Sequence, residues 1–533
     1  GSARHDCRNT GEYVKSDLDL SSRFPVMVTA TDISHPLGAL KVADVDHSGK
    51  KKIFSIFRNN DNKNPKGCLA VLNADGTEMF DLDHDPSTVE GFAQYDTYLR
   101  EFAIGNLYGT GQCQIITATR DASRSVRDNS ISCHSFTDGN GDGSPDLLWR
   151  VKTGGVCFER NPVLANLDNS SDGTQEIVLV SDGNSTQKMV MMLDHQGNIL
   201  QEFDEDLITY AAPAVADLDG DGDMEIIVGQ SKGWGTLPGS LNIYHHNGKP
   251  FGSEPFYQRE GYDFKTPVVA DLNGDGTKEI IVAATKTDDG KTYTIHVLRP
   301  NGTLMPGWGS QQIVNKDSRP YTNYADLLEI AVGDLLGNGE LQVVAMGIDT
   351  IKIWNRNGML LNRIYCPGLL PAERTPILAD VDGDSEAEIL YEKFTAYDNG
   401  IYAVKVNGQS VPGFPLYMID SAAESNLCVE DVDGDGKNEV LASVYNYVYM
   451  WKTEGRPDRI EWGSARHDCR NTGEYLPLLN KRREEGQTIS MPVENIFSET
   501  IEKENILYQN IPNPFAASTE IKYAVSPHAV YAE

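Results

Sequence analysis

The chain has 533 residues, of which 78 are acidic and 46 are basic, so its formal net charge is −32. This charge argues against a nucleic-acid-binding protein, because such proteins need a basic face to contact phosphates. No run of 18 apolar residues is present, so the sequence predicts no membrane-spanning helix. With 39% hydrophobic residues, the chain can bury a sizeable core.

A 13-residue sequence opens the chain and occurs a second time near its end. GSARHDCRNTGEY stands at residues 1–13 and again, without change, at residues 463–475. Segments that close a repeat array are often copied in this way, so we interpret both copies as structural tails. The alternative, that the His-Asp pair within each copy is catalytic, is less favoured.

Between the two copies lie eight units that share one pattern: a short apolar strand, an acidic turn and a second apolar strand. The turns begin at residues 44, 106, 166, 217, 271, 334, 380 and 431, with an average step of about 55 residues. A step of this size holds four short strands, and Asn-Gly and Asp-Gly pairs in several units are typical of β-hairpins. The pattern predicts an all-β, eight-bladed β-propeller with four-stranded blades, with seven blades as the alternative.

The acidic turn of the fourth unit has the spacing of a calcium-binding loop. Its sequence DLDGDGDME places oxygen-bearing side chains at positions 1, 3, 5 and 9, namely Asp217, Asp219, Asp221 and Glu225. Side chains at every second residue of a tight loop converge on one point, and glycine at position 6 permits the sharp turn. The backbone carbonyl at position 7, that of Asp223, can add a ligand.

Three further turns repeat this spacing. Their residues at positions 1, 3, 5, 7 and 9 are given in that order. The sets are Asp271, Asn273, Asp275, Thr277 and Glu279; Asp380, Asp382, Asp384, Glu386 and Glu388; and Asp431, Asp433, Asp435, Lys437 and Glu439. In the second set, serine replaces the glycine at position 6.

Two more segments fit the spacing with departures. They are Asn166, Asp168, Asp172 and Glu176, with a two-residue insertion, and Asp138, Asn140, Asp142 and Asp146, which lie outside the register of the repeat. The turns at residues 44, 106 and 334 are expected to bind metal poorly, because they lack part of the acidic set. The first has Lys52 and the last has Gln342 at position 9.

Hard oxygen ligands without histidine or cysteine favour Ca²⁺ over zinc or copper. Several carboxylates within a few ångströms repel one another unless a cation lies between them. Asp, Asn and Gly also favour turns that hold no metal, but the repetition of the pattern favours calcium. We therefore predict several structural Ca²⁺ ions, bound at the concentrations of calcium found outside cells.

These loops resemble those of the FG-GAP and VCBS repeat families, whose calcium loops of the form DxDxDGxxD/E lie in propeller blades of integrin-like and bacterial surface proteins. The resemblance covers roughly residues 25–455. It implies the propeller fold and calcium binding. It implies no activity, since this fold hosts adhesins, lectin-like binders and lyases alike.

A second resemblance lies near the end of the chain. The sequence ILYQNIPNPFAASTEIKYAV, from Ile506 to Val525, is similar to the start of the C-terminal sorting domain of type IX secretion cargo. The matching residues are Tyr508, Asn510, Pro512, Asn513, Pro514, Phe515, Thr519, Ile521 and Tyr523. The resemblance implies recognition by the type IX secretion machinery and a secreted or outer-membrane-associated location on a bacterium.

We therefore expect four regions. They are an N-terminal segment over residues 1–24 that duplicates the closing motif, the propeller over 25–475, a polar linker over 476–505, and an incomplete, immunoglobulin-like sorting domain over 506–533. Eight cysteines without a CxxC pair do not support a zinc cluster.

No catalytic motif accompanies the repeat. The favoured hypothesis is a secreted or cell-surface propeller that binds an extracellular glycan or protein. One alternative is a polysaccharide lyase on the same scaffold, with His, Tyr and Arg as base, acid and charge neutraliser. The other is a non-catalytic module of a larger secreted hydrolase.

Overall fold

The computed structural model describes most of residues 18–476, with its longest gap at 313–329, and four short strands outside this range. Two of these strands, β1 (Ala3–His5) and β2 (Tyr13–Lys15), pair antiparallel. The chain divides into two compact units, Gly1–Gly486 and Gln487–Glu533. Within the described residues, no helix has the length and apolar character needed to cross a membrane.

The first unit contains eight four-stranded antiparallel sheets, which are the blades of a propeller. Blades 1 to 3 consist of β4 (His35–Ala43), β5 (Lys52–Arg58), β6 (Gly67–Asn73) and β7 (Phe92–Tyr95); β8 (Tyr98–Gly105), β9 (Gln114–Arg120), β10 (Ser130–His134) and β11 (Leu147–Lys152); and β12 (Arg160–Ala165), β13 (Glu176–Val180), β14 (Val190–Leu193) and β15 (Ile199–Phe203).

Blades 4 to 6 follow the same order. They consist of β16 (Ala214–Ala216), β17 (Glu225–Gly229), β18 (Ser240–Tyr244) and β19 (Tyr257–Gln258); β20 (Tyr262–Ala270), β21 (Glu279–Lys286), β22 (Tyr293–Leu298) and β23 (Gln311–Gln312); and β24 (Ile330–Gly333), β25 (Gln342–Gly347), β26 (Thr350–Asn355) and β27 (Leu360–Tyr365).

Blades 7 and 8 each include one strand that is distant in the sequence from their other three strands. Blade 7 joins β28 (Ile377–Ala379), β29 (Glu388–Lys393) and β30 (Gly400–Val404) to β34 (Ile460–Trp462). Blade 8 joins β31 (Leu427–Glu430), β32 (Glu439–Val444) and β33 (Tyr447–Lys452) to β3 (Val26–Met27). Because β3 comes from the start of the propeller and pairs with its last blade, it closes the ring. Strand β31 of blade 8 also contacts β4 of blade 1. The prediction of eight four-stranded blades is confirmed.

The second strands of several blades carry apolar runs without alternation because they are buried on both faces. EIVLV in β13 and EIIVG in β17 are buried at every residue. Fourth strands such as β15, ILQEF, are largely exposed. Each sheet therefore packs between two neighbouring sheets, and the core consists of apolar layers between blades.

Residues 460–475, here called the axial segment, contact the first strands of the blades. Strand β34 pairs with β28 of blade 7. The backbone carbonyls of Cys469, Arg470, Thr472, Gly473 and Gly463 accept N–H groups from Ile104, Leu164, Val215, Val269 and Val429, at 2.9 to 3.0 Å. The Cys469 thiol donates to the Val42 carbonyl at 3.1 Å, and the Asp334 N–H donates to Glu461 at 3.0 Å. The axial segment thus contacts all eight blades.

Polar side chains of the axial segment complete this pairing. Asn471 is fully buried and donates from Nδ2 to the carbonyls of Phe102 and Pro162, each at 2.9 Å. Arg466, which is 1% exposed, donates to the Pro213 carbonyl at 2.5 Å. These bonds satisfy backbone carbonyls that would otherwise be buried without donors.

The second copy of the duplicated sequence is therefore part of the axial segment. Its His467 and Asp468 are 2% and 1% exposed. Asp468 accepts the Thr472 backbone N–H at 3.1 Å and its hydroxyl at 2.9 Å, so this carboxylate stabilises a turn. Both side chains thus lie within the packed axial segment. Of the first copy, only Ala3–His5 and Tyr13 lie within the described residues.

Other predictions fall on parts of the chain that the structure does not describe. The predicted linker lies outside the described residues from 477 to 505. In the predicted sorting segment, the described residues are β35 (Ile506–Leu507) and β36 (Tyr523–Ala524), which pair antiparallel. Six described cysteines are free thiols, namely Cys68, Cys113, Cys133, Cys366, Cys428 and Cys469.

Candidate metal centres

Each acidic turn of the repeat connects the first and second strands of its blade. In the four turns with the full acidic spacing, the aspartate at position 1 organises the loop through its own carboxylate. One oxygen of Asp217 accepts the N–H of position 4, Gly220, at 2.7 Å, and the other accepts the N–H of position 6, Gly222, at 3.2 Å. Asp271, Asp380 and Asp431 make the same two bonds.

Position 6 of these turns has left-handed backbone geometry. Gly222, Gly276 and Gly436 have φ of 96°, 88° and 85°, which glycine adopts without strain. Ser385 occupies the same position with φ of 73°. The loop conformation therefore persists without glycine, at a backbone cost.

The glutamate at position 9 begins the second strand and is held by the turn. Its Oε2 accepts the N–H of position 2 in every one of the four loops, from Leu218, Leu272, Val381 and Val432, at 2.8 to 3.0 Å. Glu225, Glu388 and Glu439 are fully buried, and Glu279 is 1% exposed. One carboxylate oxygen is thus fixed, while the other faces the loop.

Three of the four loops bring three carboxylates together. In each, one oxygen of every carboxylate lies within 4.8 Å of the others. The groups are Asp217, Asp219 and Glu225; Asp380, Asp382 and Glu388; and Asp431, Asp433 and Glu439. In the fourth, the side-chain amide of Asn273 donates to Glu279 Oε1 at 2.9 Å, so two predicted ligands contact each other directly.

Burial makes the negative charge of these glutamates unfavourable. It raises the pKa of Glu225 and Glu279 to about 7 and the pKa of Glu388 and Glu439 to about 8. The Oε1 atoms of Glu388 and Glu439 are buried without a hydrogen-bond partner. A buried carboxylate oxygen without a donor is costly, and a bound cation would compensate it.

Basic side chains reach into three of the loops. Lys405 Nζ lies 2.7 Å from Asp382 Oδ2 and 3.5 Å from Glu388 Oε1, and it also contacts Asp384. Lys452 Nζ lies 2.6 Å from Asp433 and 3.0 Å from Asp435.

In the loop that begins at Asp217, two histidines contact the carboxylates as the lysines do in the other two loops. His245 Nδ1 lies 3.0 Å from Glu225 Oε1, and His246 Nδ1 lies 3.0 Å from Asp223. The remaining predicted residues at positions 5 and 7 lie at the exposed or half-buried tip of their loops. They are Asp221, Asp275, Thr277, Glu386 and Lys437.

The turns without the full acidic set replace the position 9 glutamate by a group that supplies its own donor. Gln114 and Gln342 accept the position 2 N–H through Oε1 at 2.9 and 2.8 Å. Their Nε2 atoms donate to the position 7 carbonyls of Gln112 and Glu340, at 2.9 and 2.6 Å. Lys52 instead places its ammonium 3.4 Å from Asp46. These turns are satisfied within the chain.

The two irregular predictions are not gathered into carboxylate clusters of this kind. In the segment from Asp138, Asp146 accepts the backbone N–H of Gly139 and the hydroxyl of Thr137, each at 3.0 Å. Asp138 accepts the N–H groups of Gly141, Asp142 and Gly143 at 2.7 to 3.1 Å, and Asn140 donates to Asp142 at 3.0 Å.

In the turn from Asn166, the position 9 role is kept despite the insertion. Glu176 accepts the Leu167 N–H at 2.8 Å, and burial raises its pKa to about 7. Asn166 and Asp168 both accept the Ser170 N–H, at 2.9 and 3.0 Å, and Asp172 accepts the Ser170 hydroxyl at 2.7 Å.

One further cluster was not predicted. Glu78, Asp81 and Glu90 bring three carboxylates within 4.8 Å in the loop between β6 and β7. Burial and the neighbouring Glu90 raise the pKa of Glu78 to about 8. The sequence DLDHD from Asp81 carries alternating aspartates, but it lies outside the first-to-second-strand turns of the repeat, and proline follows at its position 6.

A cavity of about 260 Å³ lies beside the axial segment. Its lining comes from blades 2 to 4 and from the axial segment, including Asn106, Asn166, Gln175, Arg470 and Glu474. The lining residues include an arginine but neither histidine nor tyrosine.

Comparisons with known proteins reveal similarity in fold. No protein-family profile matches the chain, and no curated protein sequence matches it. The solved structure of the V. cholerae biofilm matrix protein Bap1 matches with a TM-score of 0.51 and 13% identity, over 86% of this chain and 96% of that one. The Dos1 propeller matches with a TM-score of 0.45 and 9% identity, over 82% and 95%. At this identity, the Bap1 match shows the fold alone.

Proposed function

We propose that this protein is a calcium-stabilised β-propeller that acts as a binding module for a glycan or a protein outside the cell. The observation that carries the calcium proposal is the difference between glutamine and glutamate at position 9. Gln342 donates to the position 7 carbonyl of its own loop. A deprotonated glutamate at the same place has no hydrogen to donate, so a bound cation would compensate its buried second oxygen.

The residues present fit Ca²⁺. The donor sets contain carboxylate, amide and backbone carbonyl oxygens, which suit a hard cation of flexible coordination. The Oε1 atoms of Glu388 and Glu439 are buried without a hydrogen-bond donor, and each of these glutamates forms a carboxylate cluster with two neighbouring aspartates. Asp217, Asp219 and Glu225 would hold a third ion, and Asp271, Asn273, Asp275 and Glu279 a fourth. A bound ion would neutralise the loop and hold the first and second strands of its blade together.

The role as a binding module rests on the fold. Propellers present a ring of loops on a rigid scaffold, which suits recognition. The biofilm matrix protein Bap1 shares the fold. A polysaccharide lyase on the same scaffold is the second candidate. The third candidate is a non-catalytic module of a larger secreted hydrolase.

The proposed location outside the cell follows from two properties. Extracellular modules of this type bind calcium with Kd of about 10⁻⁴ to 10⁻³ M, so they are loaded by millimolar calcium. The sequence from Ile506 to Val525 is similar to type IX sorting segments. We therefore propose export by the type IX secretion machinery to the surface of a bacterium.

Equilibrium dialysis of the purified chain against calcium tests the metal proposal. We expect at least four ions per chain at millimolar free calcium, and fewer than one would contradict the proposal. A glycan array should show binding without turnover. The appearance of an unsaturated uronate product on incubation with acidic polysaccharides would instead support the lyase.

A further inference from the structure

The residue opposite position 9 on the third strand of each blade varies with the charge of the loop. Strand pairing places Glu439 opposite Lys452, Gln342 opposite Asn355 and Lys52 opposite Asn73. The same register, extended by one residue, places Glu225 opposite His245, Glu279 opposite Arg299 and Glu388 opposite Lys405. Directly opposed residues of an antiparallel pair share one face of the sheet, so their side chains meet.

All four loops with the full acidic spacing therefore face a residue that is or can become a cation. Loops with glutamine or lysine at position 9 face a neutral residue. For Gln114, the extended register gives Ser135 as this neutral residue. The turn with the insertion departs from the pattern, since Glu176 lies opposite Asp194. The position on the third strand is the same in all blades, so it cannot explain which residue stands there. The residue opposite position 9 instead varies with the charge of the loop.

Each of the two lysines contacts at least two carboxylates of its loop, whereas His245 contacts Glu225 and carries a charge only when it is protonated. Lys405 Nζ is within 2.7 Å of Asp382 and within 3.5 Å of the buried Glu388 Oε1. Lys452 Nζ bridges Asp433 and Asp435 at 2.6 and 3.0 Å. A lysine ammonium is compact and has a flexible stem, so it can enter a carboxylate cluster and leave it again.

We propose that Lys405 and Lys452 are built-in competitors of the metal, which neutralise their loops when calcium is scarce and lower the calcium affinity of these two sites. The inference rests on the calcium binding proposed above. Each ammonium contacts the carboxylates that would hold the ion, so a divalent cation must displace it. The loops from Asp217 and Asp271, without a lysine, then fill first as calcium rises, and the lysine-containing loops fill last.

Calcium titration of Lys405→Met and Lys452→Met tests the competition. Methionine keeps most of the volume of the side chain and removes its charge. We expect each variant to tighten one class of site by about tenfold at low ionic strength, because a unit charge a few ångströms from the ion is removed. In EDTA, each variant should melt below the wild type, whereas saturating calcium should remove the difference.

Two controls separate the outcomes. Lys249→Met removes an exposed lysine that lies outside the loops, so it has the same effect on net charge and should leave the affinities unchanged. Lys405→Met combined with Glu388→Gln should lose the tightened site. Wild-type binding that the lysine variants do not alter would overturn the competition and leave the calcium proposal standing. No calcium binding by wild type or variants would overturn both.

Discussion

The turn that begins at Asp334 and the turn that begins at Asp431 have the same backbone frame but satisfy it by different means. In both, the position 9 side chain accepts the N–H of position 2, at 2.8 Å. Gln342 then closes the loop with its own amide, whereas Glu439 leaves a buried oxygen without a hydrogen bond. One atom, nitrogen or oxygen, thus separates a turn whose position 9 side chain is fully hydrogen-bonded within the chain from a turn with a buried carboxylate oxygen that has no hydrogen-bond donor.

Of the changes that test this difference between the two turns, removal of calcium should have the largest effect on stability. Relative to calcium at about 10 mM, we expect EDTA to lower the free energy of unfolding by roughly 2 kcal/mol for each filled site, and the melting temperature by many degrees. We expect the loss to come from the glutamate turns, because the glutamine turns are expected to bind metal poorly. Differential scanning calorimetry with EDTA and with excess calcium measures it, and an unchanged transition would contradict the calcium proposal.

The pH dependence of stability in EDTA should reflect the buried glutamates of the same turns. Folding raises the pKa of Glu388 and Glu439 to about 8 and that of Glu225 and Glu279 to about 7. The folded state therefore binds more protons than the unfolded state between about pH 4.5 and 8, so stability falls as the pH rises through this window.

We expect the calcium-free protein to be more stable at pH 5.5 than at pH 8, by more than about 3 kcal/mol in sum. Urea unfolding at the two pH values measures the difference. Excess calcium should reduce or reverse it, because the ion binds the deprotonated carboxylates. Equal stability at both pH values in EDTA would show that the lysines and histidines already neutralise the loops.

Conversion of a complete turn into an incomplete one should destabilise the protein. Gln342→Glu replaces the donor to the Glu340 carbonyl by a second acceptor, so we expect a loss of about 2 to 3 kcal/mol. Calcium should rescue little of this loss, because Leu336 stands at position 3 and offers no oxygen. Chemical denaturation with and without calcium measures both effects, and full rescue would contradict the role given to position 3.

The reverse substitution should make a turn independent of calcium. Glu439→Gln gives the loop an amide that can donate to the Lys437 carbonyl, as Gln342 does to Glu340. In EDTA, we expect the variant to be more stable than the wild type by about 1 to 2 kcal/mol, and to bind one calcium ion fewer. The matched control is Glu454→Gln, because this exposed glutamate pairs with Lys437 outside the cluster.

The smallest expected effect concerns the backbone of one glutamate turn. Ser385 has φ of 73°, whereas the equivalent residues in the other three full loops are glycines. Ser385→Gly should stabilise the protein by about 0.5 to 1 kcal/mol in both EDTA and calcium, since it relieves strain without changing the ligands. A gain that appeared only with calcium would point to an effect on the ion.

The repeat predicted the blades because its period, its hairpin signals and its acidic turns all recur with the strand order. The spacing of Asp217, Asp219 and Glu225 likewise predicted residues that the structure brings together. Two features could not be predicted in this way. Lys405 and Lys452 lie about 20 residues from their loops, and only the pairing of strands brings them close. The cluster at Glu78 depends on Glu90, which follows a loop without the repeat spacing.

The axial segment sets the order in which the propeller can be completed during synthesis. It contacts all eight blades, yet residues 460–475, which include β34 of blade 7, follow every other blade strand in the sequence. Until a ribosome has released these residues, inner-strand groups such as the Ile104 N–H and the Phe102 carbonyl lack their final partners. Blades can therefore form one after another as the chain emerges, but the ring becomes a single cooperative structure only when its last segment enters the centre.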